Sequence, residues 1–101
     1  MKKYEGKYEP TLIYPSLIKA LAIVRRYGVN KHGASDDWRT TLRGAHYDAI
    51  YRHLLAILDG ETLDPESGLP HLWHIATNVM FEVERDYGHY FDFDVRARDN
   101  L

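Results

Sequence analysis

LPHLWHIATNVMFEVERDYG, residues 69–88, carries two stripes at once. Leu72, Ile75, Val79 and Val83 recur at the spacing of one helix face. His71, His74, Asn78 and Glu82 recur beside them, and at about 100° per residue they fill one narrow sector. Pro70 stands where a first helical turn tolerates proline, and Gly88 reads as a stop. The expected element is a helix over 69–87 with its apolar stripe on the core.

Two further helices follow from the same reading. Over 15–28, Pro15 opens the pattern, Leu17, Leu21 and Val24 share a face with Ile18 and Ala20 beside them, and Gly28 closes it. Over 43–59, Tyr47, Ile50, Leu54 and Ile57 form the apolar stripe and Gly60 stops it. The ends are read as arms. Residues 1–14 are mixed, and in the tail at 88–101 Phe91, Phe93 and Val95 alternate with polar residues. The tail and the Tyr4–Tyr8 region therefore offer a short β-pairing, within or between subunits. The expected fold is mainly all-α: one domain over 1–101, a compact three-helix core and two extended arms.

Composition narrows the function. A chain of 101 residues buries only about two thirds of its unfolded surface. A sizeable site is then expected to be shared between copies, in a homo-oligomer. A net charge of -2 gives no pull toward DNA or RNA. Without cysteine there are no disulfides and no thiolate chemistry. No apolar run approaches a membrane span, and MKKYEGKYEP lacks the apolar core of a signal peptide, so a cytoplasmic protein is expected.

Six histidines are the unusual feature. His46 and His53 stack on one face of the second helix, with Ala49 and Ala56 on that face leaving room for a flat ring or a ribose. Arg52 adds a fork suited to phosphate. With His71, His74 and Asn78 these make a polar groove. A lone helical histidine is usually a surface group or a satisfied core group, but four on two joined helices favour a site. The connection between the helices holds Glu61, Asp64, Glu66 and Ser67. Turn formation alone explains such residues, with Ser67 as a cap. The functional reading gives Gly68, Leu69 and His71 free N–H groups for an anion, or lets the carboxylates hold Mg²⁺. In the loop after the first helix, Lys31 and Arg39 suit phosphates, and Trp38 either anchors the core or stacks a base.

These residues resemble a family of small phage-encoded domains, the N-terminal domains of dATP/dGTP diphosphohydrolases. The likeness runs from LIYPSL at 12–17 through RYGVNKHG at 26–33, DDWR at 36–39, YRHLLA at 51–56 and Gly60–Glu61 to DPESGLPHLWH at 64–74 and Asn78. The resemblance implies purine nucleotides, a phage setting and the cytoplasm of an infected bacterial host. The E-x-x-E pair by which all-helical diphosphohydrolases hold Mg²⁺ is absent from the sequence. In longer relatives that signature is expected in a following domain.

The first expectation is a non-catalytic protein that sequesters a purine-nucleotide-derived ligand, such as a host immune signalling nucleotide. Its ligand-binding residues are Lys31, Trp38, Arg39, His46, Arg52, His53, Ser67, His71, His74 and Asn78, with no cofactor. The second is a Mg²⁺-dependent nucleotide diphosphohydrolase, with Glu61, Asp64 and His53 catalytic and Glu61, Asp64, His71 and His74 around the metal. The third is a helical interaction protein whose histidines satisfy one another.

Overall fold

The computed structural model describes residues 6–34 and 37–98, the last eight as backbone. Among them stand three helices: α1 (Pro15–His32), α2 (Ala45–Leu58) and α3 (His71–Arg98). Short 3-10 turns at Pro10–Leu12 and Asp37–Thr40 precede α1 and α2. The fold is mainly helical with no sheet among the described residues, and its one β-bridge joins Leu63 to Pro70. α3 is the long axis against which α2, α1 and the second turn pack.

The glycines correct two helix ends. α1 passes through Gly28 and stops at Gly33, and α3 passes through Gly88 to Arg98. Glycine ends a helix by taking a left-handed conformation. Gly33 (φ 101°), Gly44 (φ 98°) and Gly60 (φ 95°) have positive φ; Gly28 and Gly88 do not. The tail expected as an arm or strand is therefore helical as far as Arg98, since propagating a helix costs little once it is nucleated. Residues 99–101 and Tyr4 lie outside the described residues.

α2 ends in a Schellman cap. Glu61 N–H donates to Ala56 C=O (2.9 Å) and Gly60 N–H to Ile57 C=O (2.9 Å). The connection then folds back on itself: Asp64 N–H donates to Leu69 C=O and His71 N–H to Thr62 C=O.

Burial reverses the expected orientation of α3. The buried side chains on that helix are His71, His74, Thr77 and Glu82, while Leu72 (64%), Val79 (45%) and Val83 (44%) are exposed. His46 is the buried residue of α2, where Tyr47 and Leu54 are exposed; in α1 only Ala20 and Val24 are buried, and Leu17 and Ile18 are exposed. The expectation of apolar stripes on the core holds for Val24 with Ala20 beside it, is half met by Leu21, Ile50, Ile57 and Ile75, and is overturned for Leu17, Ile18, Tyr47, Leu54, Leu72, Val79 and Val83. Burying polar groups is tolerable when they bond one another, and the α2–α3 seam provides those partners.

Candidate functional site

Two polar clusters occupy the seam. In the first, His46 Nδ1 lies 2.6 Å from Glu82 Oε1, with both side chains buried. An ionised carboxylate only accepts, so His46 donates from Nδ1. Arg85 Nη1 stands 3.8 Å from the same oxygen. Its Nη2 donates to the carbonyls of Trp38 (2.8 Å) and Thr41 (2.9 Å), which ties the second 3-10 turn to α3.

In the second cluster His53 meets two histidines of α3. Its ring stacks on His74 (centroids 4.7 Å apart, 4° between planes), and its Nδ1 is 2.8 Å from His71 Nδ1. His71 Nε2 reaches Glu61 Oε1 at 2.7 Å, a contact set up by the Schellman cap that places Glu61. His74 Nε2 meets Ser67 Oγ at 2.7 Å. Asp64 Oδ2 accepts Ser67 N–H (2.9 Å) and lies 3.7 Å from His74 Nε2. Burial, with His74 and His71 alongside, pushes His53 below its ordinary pKa. Burial likewise lowers His74, and His71 adds to it against the pull of Asp64. Burial alone would raise the Asp64 carboxyl; the Ser67 hydroxyl and amide and the nearby histidines outweigh it and hold the carboxyl below its usual value. His53, Asp64 and His71 each offer a ligand atom, and these lie within 4.8 Å of one another.

Both clusters border a cavity of about 570 Å³ between α1, α2, α3 and the second turn. Of the residues expected to bind a ligand, Lys31, Trp38, His46, Arg52, His53, His74 and Asn78 line it. The other three sit behind. Arg39 lies over the Trp38 ring (4.5 Å), Ser67 is bonded to His74, and His71 is buried between His53 and Glu61. Glu61 is thus a partner of His71, and His53 takes the place expected of His74 beside Asp64 and His71. The free N–H groups expected at the start of α3 are all engaged: Gly68 donates to Asp64 C=O, Leu69 to Ser67 Oγ and His71 to Thr62 C=O.

The lining groups missed in the sequence include Arg25, Tyr27, Gly28 and Phe81. Arg25, Gly28 and Lys31 are three apart along α1 and so share a face, a signal hidden by reading Gly28 as the end of the helix. Phe81 stands three residues after Asn78, and it stacks on Trp38 (centroids 4.8 Å, 13°) with the Arg25 guanidinium 5.1 Å from its centre. Lys31 is paired with Glu66, which raises the lysine and lowers the carboxyl.

Residues 1–92 match the family model described as dATP/dGTP diphosphohydrolase, N-terminal. A protein of Salmonella phage PMBT28 named dATP/dGTP diphosphohydrolase is 32% identical over 77 residues, covering 76% of this chain. The chain covers only 26% of that relative's length. No solved structure matches the chain. The family match takes in both clusters and the cavity, and the chain belongs to the family of dATP/dGTP diphosphohydrolase N-terminal domains.

Proposed function

We propose that this domain binds a purine nucleotide in the cavity between its three helices, as part of the nucleotide chemistry for which its family is named. The observation that carries this reading is the composition of one wall against another. Trp38 and Phe81 make an aromatic wall, and Arg25 and Arg52 bring cations to the same cavity, with Lys31 beside them paired to Glu66. A volume of about 570 Å³ falls within the range of small-molecule sites. Gly28, Ala45 and Ala49 keep the walls low. The purine packs against the aromatic side, the phosphates meet the cations, and His46 turns its Nε2 to the ligand because its Nδ1 is held by Glu82.

Hydrolysis of the bound nucleotide is the fate that the name of the phage relative favours, and His53 and Asp64 are the cavity residues nearest the chemistry this would need. Retention of an intact signalling nucleotide is the other. Equilibrium dialysis against dATP, dGTP, dCTP and dTTP, with cyclic nucleotides and ADP-ribose alongside, tests binding in EDTA. Selective retention of purine compounds is expected, and equal or absent retention of all of them would overturn the reading. Chromatography of the recovered ligand after Mg²⁺ addition then separates turnover from sequestration.

A further inference from the structure

The geometry points to a binding site for one divalent transition-metal ion of the Zn²⁺ type, held by His53 Nδ1, His71 Nδ1 and the Asp64 carboxylate. This site is independent of whether a nucleotide binds. Three separate elements supply the donors: α2, the connection and α3. One nitrogen of each ring and one Asp64 oxygen already lie within 4.8 Å of one another, and the two Nδ1 atoms are 2.8 Å apart.

Which nitrogens face the ion is fixed from behind. Glu61 Oε1 sits 2.7 Å from His71 Nε2, so that nitrogen carries the proton and Nδ1 of the neutral ring is a bare lone pair. A carboxylate behind the far nitrogen of a ligand histidine is the arrangement that fixes its tautomer and raises its basicity. That lone pair is aimed at His53 Nδ1, 2.8 Å away. Without an ion, His53 donates its Nδ1–H across this gap. With an ion, the cation replaces that proton between the rings, and the His53 proton moves to Nε2. Both rings stay neutral, and no net proton is released from them. Metal–nitrogen bonds of about 2.0–2.1 Å in a tetrahedral set hold two nitrogens about 3.3 Å apart. The rings then separate by roughly half an ångström, a small side-chain movement. The Ser67 amide orients the third donor, Asp64.

Two imidazoles and one carboxylate select a borderline ion over Mg²⁺, which prefers an all-oxygen shell. His53 and Asp64 line the cavity, whereas His71 is buried behind them. Positions left open on the ion therefore face the cavity, where water or an anionic oxygen completes the shell.

Co²⁺ titrated into the chelator-treated full chain is the test. One equivalent should produce visible d–d bands, and Zn²⁺ should abolish them at one equivalent. His53→Ala and His71→Ala should each remove the bands, with helicity checked by circular dichroism. Glu61→Gln leaves all three donors in place and should weaken Co²⁺ binding about tenfold to a hundredfold. In the ¹⁵N-edited histidine spectrum of the unaltered chain, Zn²⁺ should shift His53 and His71 and leave His89 unmoved. Absence of bands, bands that persist in both alanine variants, or unchanged affinity in Glu61→Gln would overturn the site. Nucleotide binding measured in EDTA fails or succeeds separately.

Discussion

Glu82 holds His46 at 2.6 Å inside the α2–α3 seam, and its second oxygen, Oε2, is buried without a hydrogen-bond partner. One carboxylate thus orients a cavity histidine while carrying a desolvated lone pair of its own. Removing the acceptor leaves the His46 N–H unsatisfied, a cost of about 1–3 kcal/mol. Glu82→Ala should lose that much stability in urea unfolding, and Glu82→Gln, which keeps an acceptor, should lose less. In a double-mutant cycle His46→Ala should cost less in the Glu82→Ala background than alone. Additive losses would mean that the two side chains are uncoupled.

Acid should unfold the domain through its histidines before its carboxylates titrate. Burial lowers His53 and His74 below the ordinary 6.5, so the unfolded chain binds protons that the folded chain does not. Stability then rises with pH across this window. The contribution is fully present above about 6.5 and is lost as pH falls toward the folded-state values. Asp64 and Glu66, both lowered, act in a separate window below about 4.5. Tm should fall between pH 7.5 and 5.5, and His53→Gln should flatten the slope. A Tm independent of pH over that range would contradict the burial of these rings.

The sequence made the helices legible and hid which way they face. The stripe of His71, His74, Asn78 and Glu82 is visible in the spacing, as is the Leu72–Val83 stripe beside it. Amphipathicity says that two faces differ, and hydrophobicity normally decides which is inside. Here the decision rests on partners from elsewhere in the chain: Glu61 for His71, Ser67 for His74 and His46 for Glu82. His46 lies 36 residues from Glu82, outside any local window, and the nearer partners Glu61 and Ser67 reach their histidines only because the connection folds back on itself. Gly28 and Gly88 misled for a related reason, because a glycine stops a helix only when the surrounding chain calls for positive φ.

Gly28 separates helix stability from cavity shape. It sits inside α1 and lines the cavity, and an added Cβ would meet no atom within 4 Å. Gly28→Ala should stabilise the domain by about 0.5–1 kcal/mol, because alanine suits a helix interior. Gly28→Phe should preserve the fold and project a ring into the cavity. Dialysis should then show purine-nucleotide binding retained in the alanine variant and lost in the phenylalanine variant. Equal binding by both would place the ligand elsewhere.

Arg52 is exposed on α2 and lines the cavity, so truncating it removes a cation without removing a packed group. A charge-assisted hydrogen bond to phosphate is worth about 1.5–3 kcal/mol. Arg52→Ala should therefore raise the Kd for a nucleoside triphosphate by about tenfold or more, with an unchanged melting curve in the absence of ligand. Affinity for the bare nucleoside should stay the same. A parallel loss for the nucleoside would mean that Arg52 acts on the ring or the ribose.

The outward turn of the apolar stripes makes the strongest case for self-association. On α3, Leu72, Val79, Val83 and Tyr87 are exposed at helical spacing, and on α2 so are Tyr47, Tyr51, Leu55 and Leu58. Single exposed apolar residues are ordinary, but contiguous apolar patches mark contact surfaces. With its polar groups turned inward, the domain leaves these stripes without cover among the described residues. A second copy of the chain is the occupant expected here. Light scattering should give a mass that is a multiple of 11.8 kDa. Changing Leu72 and Val79 together to glutamate should return the monomer with its helicity unchanged, because neither side chain is buried in the protomer. A monomer from the unaltered chain would leave the stripes to a different partner and confine the cavity to one protomer.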